Sequence, residues 1–365
     1  MNVGAARSFD HTIQVPIDAL RRHYTHIVLA YGASIPFILP ALGAFAMPAL
    51  SIVHWYTGHP SNPTPPPLES IEHMTLIGHG NVSLDIARLL LSSSKRLAHL
   101  DIPQKVLDVM DSSKLEHISI VSRRGPAQVA FTARELRELL NLPDASMVPI
   151  PPELLSTPLE ASRQQARILD LLRKGSAAKP GTTRKTWSLE FFRSPTMPVS
   201  GGIELGINEL DKDERAVATG KSQVLHTDLV VNSVGYRSEP MEPGWFDGSL
   251  GRTRQSASRV IGPDNKVVPR IYASGWAANG AKGVLATTMM DAYSVAEKLV
   301  EDSLSSSVEP VEYVSGIPEE ITRSTQRVVT YGDWKRIDAE EVRRGEMRGK
   351  ERERMMWAEA NEFLG

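Results

Sequence analysis

The segment MTLIGHGNVSLDIARLLL, Met74–Leu91, constrains the fold more than any other stretch of this sequence. Its apolar run Met74–Ile77 predicts a buried strand, which meets Gly78, His79 and Gly80 and passes directly into a helical pattern. A strand, a tight glycine turn and a helix in this order can hold a pyrophosphate, because the first helical turn presents unpaired backbone N–H groups. The segment therefore predicts a dinucleotide-binding unit in an α/β fold.

The end of the next predicted strand indicates which nucleotide such a unit prefers. In a dinucleotide fold this position meets the adenosine ribose, where an acidic residue bonds the 2′-hydroxyl and arginine accommodates a 2′-phosphate. Here the position carries Arg123 and Arg124 and no carboxylate, so the sequence favours NADP over NAD. Ser83 in the third small position is a mild departure from the glycine fingerprint. The alternative is a tight turn in an α/β domain with a solvated arginine pair.

The composition limits the chemistry that the chain can perform by itself. The 365 residues contain no cysteine and carry 41 basic and 43 acidic side chains, which predicts a soluble globular protein, with two domains expected from its length. Without cysteine there is no disulfide framework, thiolate metal site or redox dithiol, so any redox chemistry needs a bound cofactor. The ten histidines show no metal-ligand spacing, and we predict no catalytic triad.

The most apolar segment, PFILPALGAFAMPALSIV, covers Pro36–Val53 and is long enough to raise the question of a membrane span. Pro36, Pro40 and Pro48 argue against a span, because they would break backbone hydrogen bonds that lipid cannot replace. We expect a buried or irregular linker here. The N-terminal segment shows neither a secretory signal nor a transit peptide.

Periodicity elsewhere predicts the remaining elements. His26–Tyr31 has the pattern of a buried strand, and Pro149–Thr186 has that of a mostly helical, charged and exposed region. From Trp187 onward the pattern turns to short strands and hairpins, and Ala286–Leu304 predicts a final helix.

A second nucleotide site is indicated in the last third of the sequence. A predicted strand ends at Ser274, Gly275 and Trp276, and a glycine-rich loop leads to a helix that begins near Val284. The N-terminus of a helix carries partial positive charge, which suits the electron-rich N1/C2 carbonyl edge of a reduced flavin. Packing without a ligand is the alternative, because a strand, a glycine turn and a helix also occur where nothing binds.

Six blocks of the sequence resemble one flavoprotein family. They are IGHGNVSLDIARLLL, VSRRGPAQVAFTARELREL, WSLEFFRSP, DLVVNSVGYRSEP, YASGWAANGAKGVLATTM and DWKRIDAEEVRRGEMRGKERER. In this order they resemble adrenodoxin reductase, the mitochondrial-type ferredoxin–NADP reductase, from about Asn2 to the C-terminus. The resemblance implies an α/β flavoprotein with two dinucleotide-binding domains, in which a Rossmann-like NADP domain is inserted into a partial FAD-binding domain. We expect residues 1–33 to be a remnant of the FAD domain, 34–208 the NADP-binding domain and 209–365 the C-terminal part of the FAD domain.

The resemblance also implies which residues contact each cofactor. For NADP they are Gly78, His79, Gly80, Asn81 and Val82 at the turn, Arg123 and Arg124 at the 2′-phosphate, and Glu135 on the following helix. For the flavin they are Trp276, Gly283, Val284 and Leu285. The family carries proline and threonine before that last glycine, where this chain has Ala281 and Lys282, and a cation there would change the potential of the flavin.

Two departures from the family pattern concern the first part of the chain. The family begins with its own Gly-x-Gly-x-x-Gly turn for the FAD pyrophosphate, and nothing before His26 resembles that turn. We therefore expect a member that lacks most of its first FAD-binding half and binds FAD poorly or not at all. The apolar run Ile35–Pro48 replaces a charged segment of the family.

The reaction that the resemblance implies is hydride transfer from NADPH to FAD, followed by transfer of single electrons to a small two-iron ferredoxin. Arg134 and Arg137 on one helix face would steer an acidic ferredoxin, or else form a solvated face paired with Glu138. The C-terminal RRGEMRGKERER is either a basic docking tail or an exposed helix. A mitochondrial location, in the matrix or at the surface of the inner membrane, is implied by the resemblance alone.

Two other functions stay open. One is another flavin oxidoreductase with two dinucleotide sites, such as a relative of the glutamate synthase small subunit, although the cysteines for its iron–sulfur centres are absent. Thioredoxin reductase is excluded by the missing dithiol. The other is a non-catalytic NADPH-binding module, in which the FAD half has been lost.

Overall fold

The computed structural model describes residues 2–3, 12–156, 161–283, 285–305, 314–324 and 327–365. The chain divides into two compact units. Unit 1 contains Met1–Phe37 and Gly235–Thr330, and unit 2 contains Ile38–Val234 and Tyr331–Gly365. These limits differ from the expected domains, since residue 208 lies inside a strand of unit 2 and the last 35 residues belong to unit 2 as well.

The structure contains the following regular elements. The strands, numbered along the described part of the chain, are β1 Asn2–Val3, β2 Gln14–Val15, β3 Ile27–Leu29, β4 Ile35–Pro36, β5 Met47–Pro48, β6 His73–Ile77, β7 His117–Val121, β8 Ala145–Met147, β9 Lys185–Glu190, β10 Arg193–Val199, β11 Gly202–Leu210, β12 Ala216–His226, β13 Leu229–Asn232, β14 Tyr236–Arg237, β15 Phe246–Asp247, β16 Arg252–Thr253, β17 Gln255–Ser256, β18 Arg259–Ile261 and β19 Val267–Ala273. The α-helices are α1 Ile17–His23, α2 Ala49–Thr57, α3 Asn81–Leu91, α4 Ser94–Leu97, α5 Gln104–Asp111, α6 Ala133–Leu140, α7 Arg163–Lys174, α8 Trp276–Asn279, α9 Leu285–Leu304, α10 Glu319–Thr322, α11 Tyr331–Met347 and α12 Trp357–Leu364. Single 3₁₀ turns occur at Gly43–Phe45, Pro126–Gln128, Pro152–Leu155 and Pro243–Trp245.

Unit 2 is built on a six-stranded sheet in the order β5-β13-β6-β7-β9-β8, in which all neighbouring strands are parallel. One face of its central strands is apolar, with Met74, Leu76, Ile118 and Ile120 fully buried in the largest hydrophobic cluster of the described residues. The strand and helix predicted around the glycine turn are therefore confirmed as β6 and α3. Because parallel α/β sheets bind ligands at the carboxyl ends of their strands, the ends of β6 and β7 are where a site is expected.

The segment WSLE belongs to this parallel sheet and not to a hairpin. β9 pairs in parallel with β7 on one side and with β8 on the other, and Trp187 is fully buried opposite Ile118. The hairpins begin only with β10, in the antiparallel sheet β10-β11-β12. The sequence did not separate the two, because a short apolar strand has the same alternation in a parallel and in an antiparallel sheet.

The region Pro149–Thr186 is less helical than expected. Its only α-helix among the described residues is α7, which begins in a capping box between Ser162 and Gln165. Ile168, Leu169 and Leu172 of α7 are buried, so this helix packs on the core and is not an exposed arm. The polar residues that dominate the composition of the segment lie on the opposite face of the helix or in its flanking loops, which explains the wrong expectation.

The apolar segment Pro36–Val53 is divided among short elements, as the prolines predicted. It contains a 3₁₀ turn, the edge strand β5 and the start of α2, where Pro48 occupies the N-cap position. Ala49, Ile52 and Trp55 of α2 are buried in the core of unit 2. No helix within the described ranges is long and apolar enough to cross a membrane.

Unit 1 contains a four-stranded sheet in the order β17-β18-β19-β3, in which only β19 and β3 are parallel. The predicted strand at His26–Tyr31 is confirmed as β3, and the helix predicted at Ala286–Leu304 as α9. This helix is not the final one as expected, because α10, α11 and α12 follow it. Asp302 of α9 accepts hydrogen bonds from Arg259 Nε at 2.7 Å and from Tyr272 Oη at 3.1 Å. This carboxylate therefore fastens the helix to β18 and β19.

The C-terminal segment RRGEMRGKERER is neither a free tail nor simply an exposed helix. Helix α11 ends at Met347, and Lys350 behind it is buried, with Nζ bonded to Glu353 and to the carbonyl oxygen of Ile102. Glu341 of α11 accepts a hydrogen bond from the backbone of Met355 at 2.9 Å. The charged residues of this segment thus bind the end of the chain to unit 2.

Two histidines lie side by side on the second face of the parallel sheet. The ring centroids of His73 and His117 are 4.8 Å apart. His73 Nε2 lies 2.9 Å from Ser119 Oγ, and His117 Nδ1 lies 2.7 Å from Thr186 Oγ1. Burial, and then the charge of His73, lower the pKa of His117 from 6.5 to about 4, and burial also lowers the pKa of His73. Both imidazoles are therefore neutral in the folded chain at neutral pH.

We expect the free energy of unfolding to fall as the pH is lowered from 6.5 to about 4. Because the pKa of His117 is lower in the folded chain than in the unfolded one, the unfolded state binds more protons below pH 6.5, and the loss continues down to about 4. His117 alone should cost about 2 kcal/mol between pH 7 and pH 5. Urea unfolding at a series of pH values measures this loss, and His117→Gln should reduce it.

The matched control is His99→Gln, at an exposed histidine of the same unit. It should leave the pH dependence of the native chain unchanged. An equally steep dependence in the His117→Gln chain would contradict the assignment of the acid sensitivity to the histidine pair.

Candidate functional site

The turn after β6 has the close packing that the first glycine of the motif requires. Gly78 has φ +119°, and a Cβ there would lie 2.3 Å from the carbonyl oxygen of Ser233. Its N–H donates to the carbonyl oxygen of Val121 at 2.9 Å. The buried Ser83 donates from Oγ to the carbonyl oxygen of Gly78 at 2.5 Å. Serine in the third small position therefore adds a hydrogen bond that holds the turn.

Gly80 leaves the first turn of α3 open. It occupies the N-cap position with extended backbone, and no side chain caps the helix. A Cβ at Gly80 would meet no atom within 4 Å. Asn81 Oδ1 accepts a hydrogen bond from the backbone of Thr132 at 2.9 Å, and Val82 is half-buried against the core. An anion placed here would meet unpaired N–H groups and the positive end of the helix dipole.

The arginine loop, which we define as Ser122–Gly125, lies at the carboxyl end of the neighbouring strand β7. Arg123 is exposed and Arg124 is half-buried. In the described part of the chain, neither guanidinium is paired with a carboxylate, and Arg124 Nε is buried without a hydrogen-bond partner. The loop therefore offers two cations whose charge no acidic side chain neutralises.

The glycine turn and the arginine loop meet at His79. Burial is the main reason that the pKa of His79 is lowered to about 4, and the charges of Arg124 and Arg123 lower it further. The ring is therefore neutral at neutral pH, and Nε2 is buried without a hydrogen-bond partner among the described residues. Because the guanidiniums act on this imidazole, the structure brings together the turn and loop residues that the sequence predicted.

Glu135 on α6 completes this group. Its Oε2 is buried without a hydrogen-bond partner in the described part of the chain, and its charge is one of the smaller causes that raise the pKa of Asp85 on α3, after burial of that carboxyl. Leaving buried polar atoms unpaired is costly, so the unpaired atoms on His79, Arg124 and Glu135 make these side chains candidates for bonding a polar ligand. An imidazole nitrogen, a guanidinium and a carboxylate fit the phosphates and ribose hydroxyls of NADP.

The two arginines predicted to meet a protein partner differ in their surroundings. Arg134 is exposed, with Nε 3.3 Å from Glu138 Oε1, and Glu138 also lies 3.6 Å from Arg88. Arg137 lies one helical turn further and is half-buried, without an ion pair among the described residues. The alternative of a solvated ion pair with Glu138 therefore describes Arg134 only.

In unit 1, the turn after β19 is held by a carboxylate of α9. Asp291 Oδ2 accepts hydrogen bonds from Gly275 N at 2.6 Å and from Ser274 Oγ at 2.9 Å, and Oδ1 accepts one from Asn279 Nδ2 at 2.8 Å. Gly275 has φ +61°, which favours glycine. Trp276 follows it with 38% of its surface exposed, so the indole ring is accessible to a ligand.

The start of α9 also depends on glycine. Gly283 has φ +90°, and a Cβ there would lie 2.4 Å from Thr287 Oγ1. Leu285 is the first residue of the helix, whereas Val284 lies outside the described residues. The first turn of this 20-residue helix carries the partial positive charge that a group with partial negative charge would meet. This arrangement fits the N1/C2 edge of a reduced flavin.

Two residues that hold these sites were missed by sequence reasoning. Asp291 is a carboxylate between Met290 and Ala292 in a mostly apolar helix, and this poor helix former in an apolar stretch was a usable signal. Asn208 donates from Nδ2 to the carbonyl oxygen of Arg123 at 3.1 Å. No pattern in the sequence indicates that contact, because the two residues are distant along the chain.

Comparison with known proteins gives a consistent set of relatives. No family model matches the chain. The chain is 35% identical over 370 residues to the human protein named NADPH:adrenodoxin oxidoreductase, mitochondrial, covering 94% of this chain and 74% of that protein. The protein of the same name from Mus musculus is 35% identical over 371 residues, with the same coverage. The one from Arabidopsis thaliana is 30% identical over 373 residues, covering 93% of this chain and 77% of that protein.

Solved structures agree with the sequence relatives. FprA of Mycobacterium tuberculosis in complex with NADPH superposes with a TM-score of 0.85 at 30% identity, covering 96% of this chain and 81% of FprA. A second structure of this oxidoreductase, described for a covalent modification of NADP⁺, gives a TM-score of 0.87 at 29% identity and the same coverage. The predicted α/β fold class and the predicted resemblance are thereby confirmed. The chain belongs to the NADPH:adrenodoxin oxidoreductase family.

Proposed function

We propose that the chain is an NADPH:ferredoxin oxidoreductase of the adrenodoxin type, which passes a hydride from NADPH to FAD and then single electrons to a two-iron ferredoxin. Membership of the family supports this reaction. The observation that carries it is the set of unpaired buried atoms on His79, Arg124 and Glu135 in the described part of the chain, together with the uncapped N-terminus of α3 that directly follows His79. All three belong to unit 2, so we propose this unit as the one that holds NADPH.

Each part of the NADPH molecule has a proposed partner in unit 2. The pyrophosphate would bind at the backbone of Gly80, Asn81 and Val82, and the 2′-phosphate would bind Arg123 and Arg124. Glu135 would accept a hydrogen bond from a ribose hydroxyl, since carboxylate oxygens accept and hydroxyls donate. The neutral ring of His79 would add a hydrogen bond without adding charge. Gly78 would act indirectly, by fixing the turn.

Unit 1 is the proposed site of the flavin. Bound FAD supplies a ring that accepts a hydride and releases electrons one at a time, which no side chain of this chain can do. The first turn of α9, from Gly283 through Val284 to Leu285, would face the N1/C2 edge of that ring. Trp276 would pack against it, and the exposed Lys282 would place a cation nearby.

The ferredoxin partner is proposed from charge. Arg137 lacks an ion pair among the described residues and is the stronger candidate for contact with an acidic protein, whereas Arg134 is already paired with Glu138. The relatives are named as mitochondrial proteins, and we propose a mitochondrial location for this chain on that ground.

The first test concerns the 2′-phosphate. Arg124→Ala should raise the dissociation constant for NADP⁺ roughly ten- to hundredfold, because it removes a hydrogen-bonded cation from the phosphate. The dissociation constant for NAD⁺, which has no such phosphate, should hardly change. Isothermal titration of the full chain with each nucleotide measures both values.

Arg134→Ala is the matched control, since it removes an exposed arginine from the same unit. It should leave both dissociation constants unchanged. Equal losses for NADP⁺ and NAD⁺ in the Arg124→Ala chain would place this arginine outside the 2′-phosphate site.

The second test concerns the flavin. Retention of a visible flavin band by the purified chain after desalting is the first measure of FAD binding in unit 1. In excess FAD, addition of NADPH should bleach the flavin at a rate that rises with the concentration of the protein. Absorbance spectra before and after NADPH measure both effects.

Gly283→Ala should weaken FAD binding and leave NADP⁺ binding intact, because a Cβ there would collide with Thr287 Oγ1. A native chain that binds NADP⁺ but never bleaches the flavin would instead favour the non-catalytic NADPH-binding module.

A further inference from the structure

Three of the four peptide carbonyls of the arginine loop are held by one neighbouring part of unit 2. The donors lie in β11, at the first residue of β10 and at Phe192 just before it, and they bond three successive carbonyl oxygens. The pairs are Arg193 N to Ser122 O at 2.8 Å, Asn208 Nδ2 to Arg123 O at 3.1 Å and Phe192 N to Arg124 O at 3.3 Å. We call these three donors the carbonyl clamp. Because each carbonyl is held, the peptide planes of the loop cannot rotate freely.

Asn208 supplies the one side-chain donor of the clamp. It is only 8% exposed, and its Nδ2 also donates to Ser194 Oγ at 2.8 Å. Its backbone N–H donates to the carbonyl oxygen of Phe192 at 2.9 Å. The amide of Asn208 is therefore fixed from two sides, and it holds the carbonyl of Arg123 from a rigid position in β11.

Phe192 has an unfavourable backbone conformation, in which its N–H donates to the carbonyl oxygen of Arg124. Its φ is +56°, in the left-handed region that residues other than glycine seldom adopt. Its ring lies against Gly125, where a Cβ would come within 2.5 Å of Cζ. A strained residue of this kind is retained when the surrounding structure requires it, and such residues cluster at functional sites. Here the conformation brings the N–H of Phe192 to the carbonyl of Arg124.

The loop also carries a support of its own. Ser122 is 2% exposed, and its Oγ donates to the carbonyl oxygen of Arg124 at 2.9 Å and accepts from Arg124 N at 3.3 Å. Ser122 N donates to the carbonyl oxygen of Glu190 at 2.8 Å. All four carbonyl oxygens of the loop thus accept hydrogen bonds, whereas the guanidiniums of Arg123 and Arg124 have no carboxylate partner in the described part of the chain.

A loop whose backbone is ordered before binding loses less conformational entropy when its ligand arrives. The fixed backbone sets the direction in which both arginine side chains leave the loop, and the charges of both act on His79. We propose that the carbonyl clamp sets the preference of unit 2 for the 2′-phosphate of NADPH, with Asn208 and Phe192 as positioning residues that act through Arg123 and Arg124. This proposal rests on the proposed function, since it requires NADPH in this site.

The direct test is Asn208→Leu, which keeps the size of the side chain and removes its donors. The dissociation constant for NADP⁺ should rise roughly three- to tenfold, and the one for NAD⁺ should stay unchanged. If Asn208 had a merely structural role, its replacement would weaken the binding of both nucleotides by the same factor. Calorimetric titration of the full chain gives both constants without requiring flavin or turnover.

Ser194→Ala is the matched control. It removes the second acceptor of Asn208 and leaves the hydrogen bond to Arg123 O in place. The ratio of the two dissociation constants should remain that of the native chain.

A double variant, Arg123→Ala with Asn208→Leu, should bind NADP⁺ little more weakly than Arg123→Ala alone, because Asn208 bonds the backbone of that arginine.

Phe192→Gly provides a second variant in case Asn208→Leu does not fold, as judged by its thermal unfolding. Glycine accepts a positive φ and keeps the N–H donor, but it loses the ring that presses on Gly125. Without the ring, and with the greater backbone freedom of glycine, the N–H is no longer held at the carbonyl oxygen of Arg124, so the preference for NADP⁺ over NAD⁺ should fall.

The outcomes separate the two proposals. If the native chain prefers NADP⁺ and the variants keep this preference in full, the proposed role of the carbonyl clamp is wrong and the proposed function is unaffected. A native chain that binds NADP⁺ no better than NAD⁺ would overturn both.

Discussion

The packing of Gly78 against the backbone of Ser233 is the constraint on which the site in unit 2 depends. A side chain at this position would clash with a carbonyl oxygen 2.3 Å away, so the ends of β6 and β13 can approach only because the residue is glycine. The same residue donates to Val121 at the end of β7. Three adjacent parallel strands are thereby held with their carboxyl ends together. The start of α3 and the arginine loop are consequently neighbours, although about forty residues separate them along the chain.

Local patterns predicted the parts of the molecule that are determined locally. The strand, turn and helix around Gly78 could be read from the sequence because an apolar run, two glycines and a helical period follow one another directly. The arginines at the end of the next strand could be assigned because the topology of a dinucleotide fold places that position beside the turn. The start of α9 was predicted within one residue, because a glycine loop directly precedes a long helical pattern in the sequence.

Contacts between distant segments were not predictable from one sequence. The alternation in WSLE is the same whether β9 pairs in parallel or in a hairpin, and only its neighbours β7 and β8 decide between the two. Asn208 bonds the arginine loop although more than eighty residues separate them along the chain. In the sequence, Asn208 looks like any other polar residue of an exposed hairpin. The high density of charge in RRGEMRGKERER indicated a segment exposed to solvent, whereas hydrogen bonds to Glu353 and to the carbonyl oxygen of Ile102 allow Lys350 to be buried. A buried lysine is readable only when its partners are known.

The discontinuity of unit 2 has a consequence for how the protein is made. Residues 331–365 belong to the same compact unit as residues 38–234, and between them the chain passes through unit 1. A ribosome therefore completes most of the parallel sheet and the arginine loop long before it synthesises Lys350, whose ammonium group bonds the carbonyl oxygen of Ile102. Until that residue emerges, the surface around α5 stays uncovered and its backbone acceptor lacks this donor. The nascent chain must hold a nearly finished unit 2 in this open state during about a hundred further rounds of peptide-bond formation, a period in which exposed apolar surface favours aggregation.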